Sequence, residues 1–127
     1  MIDTDAPARR RRLVVVDDQP DFLHLMRSRL TRDESIEIIG EAASGQAALE
    51  LVSSLTPAPD AILLDVEMPG IDGFETARRL RALAPSLRII LTSASDSSGY
   101  GATALRLGAL FLPKRNLSAN AVLHLLD

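Results

Sequence analysis

The chain has 127 residues, no cysteine and a formal net charge of −3. This length suits one domain with a core of its own, and the lack of cysteine excludes disulfides and thiolate metal sites. Such a chain suits a reducing compartment, so we expect a cytoplasmic protein. The overall charge gives no electrostatic footprint for nucleic acid. No apolar stretch reaches membrane-spanning length, and we expect no secretory signal in these residues.

The N-terminal residues 1–11 are expected to form a disordered tail, and residues 12–127 the folded domain. The first eight residues mix Asp, Pro and Thr without periodicity. The arginine run at 9–12 is interpreted as a solvated end of this tail, and we assign it no function.

The first half of the domain alternates predicted strands and helices. Short apolar runs rich in β-branched residues predict strands over 12–16, 36–42 and 60–65. Between them, Pro20 suits the first position of a helix whose apolar face repeats at 22, 23, 26 and 30. Ser44 can cap a second helix, which the prolines at 57 and 59 bring to an end.

The second half continues the same alternation. Asp72 and Glu75 have the spacing of a capping-box variant, so a third helix is predicted after them. Strands are predicted over 87–91 and 109–112, and helices over 97–107 and 118–126. Gly99 and Gly101 each weaken the fourth helix by about 1 kcal/mol relative to alanine. Five strands alternating with five helices predict an α/β fold, a (βα)5 domain with a doubly wound, five-stranded parallel sheet.

Charged and hydroxyl side chains stand at the carboxyl ends of four predicted strands. Asp17 and Asp18 follow the first strand, and Asp65 ends the third. Thr92 follows the fourth strand, and Lys114, the only lysine, follows the fifth. The functional crevice of such a sheet lies at its carboxyl edge. We therefore expect these five side chains to converge on one site.

This set of side chains suits phosphoryl chemistry. Clustered carboxylates repel one another unless a cation shares them, and oxygen ligands alone favour Mg²⁺ or Mn²⁺. Asp65 can then attack a phosphoryl group as a nucleophile, while Lys114 and Thr92 contact phosphate oxygens. Each residue alone also has a simpler interpretation: Asp17 or Asp18 as a helix cap, Asp65 as a turn residue, and the lone lysine as an effect of composition.

Several motifs together resemble a known family. They are VVVDD at 14–18, ILLD at 62–65 with Met-Pro at 68–69 and Gly73 behind it, LT at 91–92, and GA at 108–109 before Lys114. They resemble a response-regulator receiver domain (CheY-like) over about residues 13–126. IIGEA at 38–42 and LPK at 112–114 resemble the NarL/FixJ type most, which usually precedes a helix-turn-helix output domain.

The resemblance implies a flavodoxin-like strand order, 2-1-3-4-5, and roles for the acidic residues. Asp65 corresponds to the phosphoacceptor. Asp18 and Asp65 would bind Mg²⁺ (or Mn²⁺) directly, with the backbone carbonyl of Glu67 as a third ligand. Asp17 would act on the metal largely through water.

The resemblance also implies the switch residues. Thr92 corresponds to the switch hydroxyl, Lys114 to the phosphate-binding lysine, and Phe111 to the aromatic residue that changes rotamer on activation. Pro113 precedes Lys114 instead of following it, so no cis peptide bond is expected at Lys114.

The implied function is a two-component signalling switch. The domain would take a phosphoryl group from a sensor histidine kinase or a phosphotransfer protein. It would then present a changed surface made by the fourth helix, fifth strand and fifth helix. It would be no enzyme beyond limited self-catalysed phosphorylation and dephosphorylation. Homodimers would form through that surface or through the first and fifth helices. DNA would be reached only through an output domain outside these residues, and no membrane partner is expected.

Two other functions stay open from the residues alone. One is a magnesium-dependent phosphohydrolase with an aspartate nucleophile, since Glu67 lies two residues after Asp65. The other is an interaction module that works without phosphate.

Smaller expectations concern the rim of the site and the fourth helix. Glu67 and Ala94 are expected where an attacking water approaches, so that Glu67→Asn changes the lifetime of the aspartyl phosphate. The glycine-bearing fourth helix is expected to be an element of low stability. His24 and His124 are interpreted as surface or packing residues.

Overall fold

Strands and helices alternate throughout the described chain. The computed structural model describes residues 10–95 and 99–127. Most of the predicted tail, and positions 97 and 98 of the predicted fourth helix, lie outside the described residues. The strands are β1 (Arg11–Val16), β2 (Ile36–Ala42), β3 (Ala61–Asp65), β4 (Arg88–Ser93) and β5 (Leu110–Pro113). The helices are α1 (Pro20–Leu30), α2 (Gly45–Ser54), α3 (Gly73–Leu83), α4 (Tyr100–Arg106) and α5 (Ala119–Leu126).

The five strands form one parallel sheet in the order β2-β1-β3-β4-β5. The predicted doubly wound (βα)5 fold, with the flavodoxin-like order 2-1-3-4-5, is therefore confirmed. Every residue of β3, the central strand, is buried. Helices cover both faces of the sheet, which is why this strand is a continuous apolar run in the sequence.

The core has two apolar layers, one on each face of the sheet. Val14 and Val16 of β1 pack with α2, α3 and α4, whereas Leu13 and Val15 pack with α1 and α5. Successive side chains of a strand point to opposite faces, so one strand contributes to both layers. This packing holds all the strand ends on one rigid edge.

Two helix starts follow the predicted capping pattern. The Ser44 hydroxyl accepts the Ala47 N–H at 3.1 Å, and the Asp72 carboxylate accepts the Glu75 N–H at 2.9 Å. The Glu75 side chain does not complete a capping box, because it pairs with arginines one turn later. At α1 the N-cap is Gln19, whose side chain makes no capping bond.

The fourth helix and the fifth strand differ from the prediction. Gly99 is not inside α4: it is the N-cap, with φ of +99°, a conformation that glycine adopts without strain. Only Gly101 therefore weakens the helix. Strand β4 runs through Thr92, and β5 includes Pro113 and leads into a 3₁₀ turn, Lys114–Asn116, that was not predicted.

The arginine run is not a solvated tail where the structure describes it. Arg10 donates to the carbonyls of Glu34 and Ile36, and Arg12 donates to two carbonyls of the loop before β3. Arg11 belongs to β1 and forms an ion pair with Asp127. The expectation was wrong because these partners are distant in sequence.

Arg81 joins α3 to the turn between α4 and β5. Its guanidinium donates to the carbonyls of Pro85 at 2.8 Å and Leu87 at 2.9 Å, and to that of Gly108 at 2.6 Å. The bond to Gly108 links α3 to the turn after α4, and the other two fix the segment between α3 and β4.

Two further features complete the fold. Among the described residues the one cis peptide bond joins Thr56 to Pro57, so the bond after Lys114 is trans, as expected. Within the described ranges, none of the helices has the length and apolar character needed to cross a membrane.

Candidate functional site

Three carboxylates meet at the carboxyl edge of the sheet. Asp17 and Asp18 follow β1, and Asp65 is the last residue of β3. One carboxylate oxygen from each lies within 4.8 Å of the others. Asp17 and Asp65 are buried and Asp18 is half-buried. The structure thus brings together the three acidic residues selected from the sequence.

The acidic residues after β1 do not cap α1. The carboxylate of Asp17 accepts the N–H of Gln19 at 2.9 Å, which closes a tight turn. The simpler interpretation of Asp17 or Asp18 as a helix cap is therefore wrong. The turn instead points the second oxygen of Asp17 at the other carboxylates and at Lys114.

Gly73 lets the end of β3 lie close to α3. A Cβ at this position would lie 2.2 Å from the carbonyl oxygen of Asp65 and 2.6 Å from the Cα of Val66. No larger residue fits without moving the backbone that carries the acidic side chain. This explains a glycine at the N-terminus of α3, and it gives Gly73 a part in positioning Asp65.

The only lysine reaches into the acidic cluster. Nζ of Lys114 lies 2.6 Å from Oδ2 of Asp17, in an ion pair whose angles fall outside those of a hydrogen bond, and 3.6 Å from Oδ1 of Asp65. The lysine side chain is 13% exposed, against 0% for Asp17 and 4% for Asp65. The predicted meeting of ammonium and third-strand carboxylate is therefore confirmed.

Asp65 is a poor acid in this environment. Burial, and after it the negative charge of Asp17, raise the pKa of its carboxyl group to about 6, although the positive charge of Lys114 partly opposes them. At neutral pH the carboxylate form predominates, but it is more basic than an ordinary aspartate. Such a group is both charged and nucleophilic.

Thr92 lies beside Asp65 in the sheet. The two residues are register partners on β4 and β3, and the Val66 N–H donates to the Thr92 carbonyl at 2.8 Å. The Thr92 side chain is fully buried, and its hydroxyl has no hydrogen-bond partner among the residues that the structure describes. A buried hydroxyl without a partner is unfavourable, so this donor is suited to a ligand.

The Glu67 side chain is hydrogen-bonded to the end of strand β4. Its carboxylate accepts a hydrogen bond from the Ser93 hydroxyl at 2.5 Å, and the same hydroxyl accepts the Ser95 N–H at 3.0 Å. The Glu67 side chain thus fixes the start of the loop after β4. Ala94 is exposed on this loop, and it lines a groove of about 480 Å³ together with Phe22 and Lys114.

Three aromatic rings connect the site edge with α3 and α4. Tyr100 lies edge-on between Phe74 and Phe111, with centroid distances of 5.3 and 5.9 Å. Phe111 is half-buried on β5, paired in register with Leu91 next to Thr92. The residue selected as a switch aromatic is thus in contact with the helix that it would have to move.

Some functional candidates were missed in the sequence. Ser93 carries no pattern beyond its place after Thr92, and Phe22 was assigned to the apolar face of the first helix alone. Tyr100, the only tyrosine, was not selected. His24 and His124 are exposed on α1 and α5.

The donor set fits a hard divalent cation. Three carboxylates within 4.8 Å repel one another, and one positive charge from Lys114 compensates only part of that repulsion. Mg²⁺ binds one or two carboxylates together with other oxygens. Glu67, whose backbone carbonyl is the further ligand expected from the sequence, lies two residues after Asp65.

Comparison with known proteins identifies the family. The model of the response regulator receiver domain matches residues 13–125. The chain belongs to this family. A protein-glutamate methylesterase/protein-glutamine glutaminase of Pseudoalteromonas atlantica is 40% identical over 114 residues, which are 86% of this chain and 29% of that protein. The probable transcriptional regulatory protein NarL of Mycobacterium tuberculosis is 38% identical over 117 residues, 91% of this chain and 53% of that protein.

The solved receiver domain of the putative response regulator NarL from M. tuberculosis is similar throughout. It has a TM-score of 0.84 and 36% identity, covering 94% of this chain and 98% of that one. The predicted CheY-like receiver, nearest to the NarL type, is confirmed. The chain is a signalling receiver domain, and it spans about half or less of the curated relatives named above.

Proposed function

We propose that this receiver domain is switched by transfer of a phosphoryl group to Asp65, with Mg²⁺ (or Mn²⁺) bound beside it. One observation carries the proposal: on one edge of the sheet, oxygens of the three carboxylates lie within 4.8 Å of one another, and Nζ of the only lysine forms ion pairs with two of them. The donor would be the phosphohistidine of a sensor histidine kinase or of a phosphotransfer protein. Exchange with such a donor would place the domain in the cytoplasm.

The proposed reaction is an in-line displacement at phosphorus. A carboxylate oxygen of Asp65 forms the new P–O bond, the P–N bond to the donor's imidazole breaks, and the imidazole nitrogen keeps the electron pair. The raised pKa of Asp65 supports this role, because a more basic carboxylate is a better nucleophile. The groove beside Lys114 offers an open approach to the site.

The metal would be held by Asp17, Asp18, Asp65 and the backbone carbonyl of Glu67, with Asp17 acting largely through water. When bound, it would neutralise charge on the carboxylates and on the phosphoryl oxygens. Lys114 would pair with one phosphoryl oxygen, and the Thr92 hydroxyl would donate a hydrogen bond to another. These contacts would compensate for the repulsion among the carboxylates, and they would give the Thr92 hydroxyl the hydrogen-bond partner that it lacks among the described residues.

The signal would travel from Thr92 to the aromatic cluster. Movement of the Thr92 hydroxyl toward the phosphoryl group shifts the end of β4, which is paired with β5 and hence with Phe111. Phe111 contacts Tyr100 at the start of α4. We therefore propose that a rotamer change of Phe111 repositions α4.

The surface made by α4, β5 and α5 would then carry the signal to an output domain or a partner. A homodimer through this surface, or through α1 and α5, is part of the proposal. DNA would be contacted only through an output domain outside these residues. The domain would turn over no substrate beyond its own slow phosphorylation and dephosphorylation.

Intact mass measurement after incubation with acetyl phosphate and Mg²⁺ tests the chemistry. Wild type should gain one phosphoryl group, and Asp65→Asn should gain none. Asp72→Asn is the matched control, because it makes the same exchange at an exposed helix cap where asparagine serves equally well. Modification of Asp65→Asn, or loss of modification in Asp72→Asn, would contradict the assignment.

The same preparation tests the other two functions. Multiple turnover of a generic phosphate ester with Mg²⁺ would favour the phosphohydrolase. A wild-type protein that gains no phosphoryl group but still binds a partner would favour the phosphate-independent module. Glu67, which the phosphohydrolase would need as a free acid, is hydrogen-bonded to Ser93.

A further inference from the structure

Lys114 has a neighbour outside the acidic cluster. Its Nζ lies 4.2 Å from the centroid of the Phe22 ring, which is the geometry of a cation–π contact. Phe22 lies in the first turn of α1, at the end of this helix that is nearest to the site. Only 13% of the lysine side chain is exposed, and the ring and the two carboxylates are the contacts of its ammonium group described above. The ammonium group is thus held from three directions.

The Phe22 ring differs from the two carboxylates in one respect. Lysine has a flexible four-carbon side chain and a strongly hydrated charge, so its position depends on its contacts. Asp17 and Asp65 hold it through ion pairs, but a divalent cation would share both carboxylates and would repel the ammonium. The ring is neutral and does not bind the metal. It is the contact that stays available when the cation binds.

We infer that Phe22 is a positioning residue, whose ring holds the Lys114 ammonium over the site and so increases the affinity for a phosphoryl group. This inference rests on the proposed function. The ring also keeps water away from one side of the ammonium, which strengthens its attraction to a phosphoryl oxygen.

A residue that served the core alone would behave differently. Met26 and Leu30, which follow Phe22 at four-residue spacing on α1, are fully buried, whereas Phe22 is half-buried. Leucine would preserve most of the apolar packing at such a position. It has no aromatic face, so only a positioning role predicts that Phe22→Leu affects the lysine.

Nuclear magnetic resonance can observe the contact directly, because a protein labelled with ¹³C-lysine gives one set of side-chain signals. In wild type the Lys114 Hε signal should be displaced upfield by the Phe22 ring current, both without and with Mg²⁺. In Phe22→Leu it should move toward the position of free lysine, and in Phe22→Tyr it should stay displaced. Leu23→Ala is the control, since Leu23 packs against the same core layer from the same helix.

Affinity for the phosphoryl mimic beryllofluoride, measured with Mg²⁺, tests the consequence. We expect Phe22→Leu to bind it about fivefold more weakly, as the loss of one partly desolvated cation–π contact implies. Phe22→Tyr and Leu23→Ala should bind it as wild type does. Thermal unfolding of each variant shows that the comparison is made between folded proteins.

The outcomes separate the inference from the proposed function. The inference would be overturned if the Lys114 signal of Phe22→Leu were the same as that of wild type. It would also be overturned if Phe22→Leu bound beryllofluoride as tightly as wild type, or if Phe22→Tyr bound it more weakly than wild type. Wild type that fails to bind beryllofluoride would instead refute the proposed function, while the lysine signal would still report whether the ring contacts the ammonium.

Discussion

Replacing the proposed phosphoacceptor by a neutral isostere should stabilise the domain. Asp65 is buried beside Asp17, and its pKa rises from 3.8 to about 6 in the folded protein. A charged Asp65 therefore destabilises the fold at neutral pH, by about 3 kcal/mol if the whole difference applies. Water at the mouth of the site screens part of this, so we expect Asp65→Asn to be more stable by about 2 kcal/mol at pH 7.5.

The direction of the stability change in Asp65→Asn follows from how the stability of the wild-type protein depends on pH. Between pH 3.8 and about 6 the folded protein holds the Asp65 proton and the unfolded chain does not. The wild-type protein therefore loses the stability associated with this proton as the pH rises through that window. Asp65→Asn has no such loss. The difference in stability should be small at pH 4 and reach its full size above pH 7.

Urea unfolding in the presence of a chelator measures this difference, with Asp72→Asn as the control. At pH 7.5 the Asp65→Asn melting temperature should also be higher, by about 8 °C for a domain of this size. Adding Mg²⁺ should reduce the stability difference between Asp65→Asn and wild type, because it should stabilise wild type more than the variant. The reasoning is refuted if Asp65→Asn is the less stable protein at pH 7.5, or if the gap is the same at pH 4.

Three further predictions test other contacts of the site and the fold. Glu67→Asn should change the lifetime of the aspartyl phosphate severalfold. Ser93→Ala should change it in the same direction, because both substitutions break the same hydrogen bond. Intact mass measurement follows the decay, and an unchanged lifetime in both variants would contradict this prediction. Gly73→Ala should lower the unfolding free energy by about 3 kcal/mol, whereas Gly101→Ala, whose Cβ meets nothing within 4 Å, should raise it by about 0.5 kcal/mol. Arg81→Met should lower the unfolding free energy by about 2 kcal/mol through its lost hydrogen bonds. Urea unfolding measures the stability of the Gly73, Gly101 and Arg81 variants.

The fold could be predicted because its determinants are local. Buried parallel strands appear as apolar runs, and Ser44 and Asp72 mark two helix starts through bonds within one turn. The site could be predicted for a related reason. Asp17 and Lys114 each follow a strand and Asp65 ends one, and a parallel sheet brings the carboxyl ends of its strands to one edge whatever the details of packing.

Contacts between distant side chains could not be predicted in this way. Phe22 and Lys114 are 92 positions apart, and their contact depends on how α1 lies against β5. The Glu67–Ser93 bond joins the segment after β3 to the end of β4, and its two residues are 26 positions apart. The conformation of Gly99 was misjudged because a glycine near a helix start fits both a weak interior and a cap with positive φ.

The side chains of the site are less favourably paired than those of the core. The two core layers are apolar and buried, whereas the site holds mutually repelling carboxylates and a buried Thr92 hydroxyl without a partner in the described chain. A cation would reduce the repulsion among the carboxylates, and a phosphoryl group would accept a hydrogen bond from the Thr92 hydroxyl. Both changes would make ligand binding more favourable. This binding free energy would act at the end of β4. Strand β4 is paired with β5, and Phe111 of β5 contacts Tyr100 of α4. An Asp65→Asn protein should therefore be stable and unresponsive for the same reason: with the repulsion already removed, ligands at this edge have less free energy with which to shift α4.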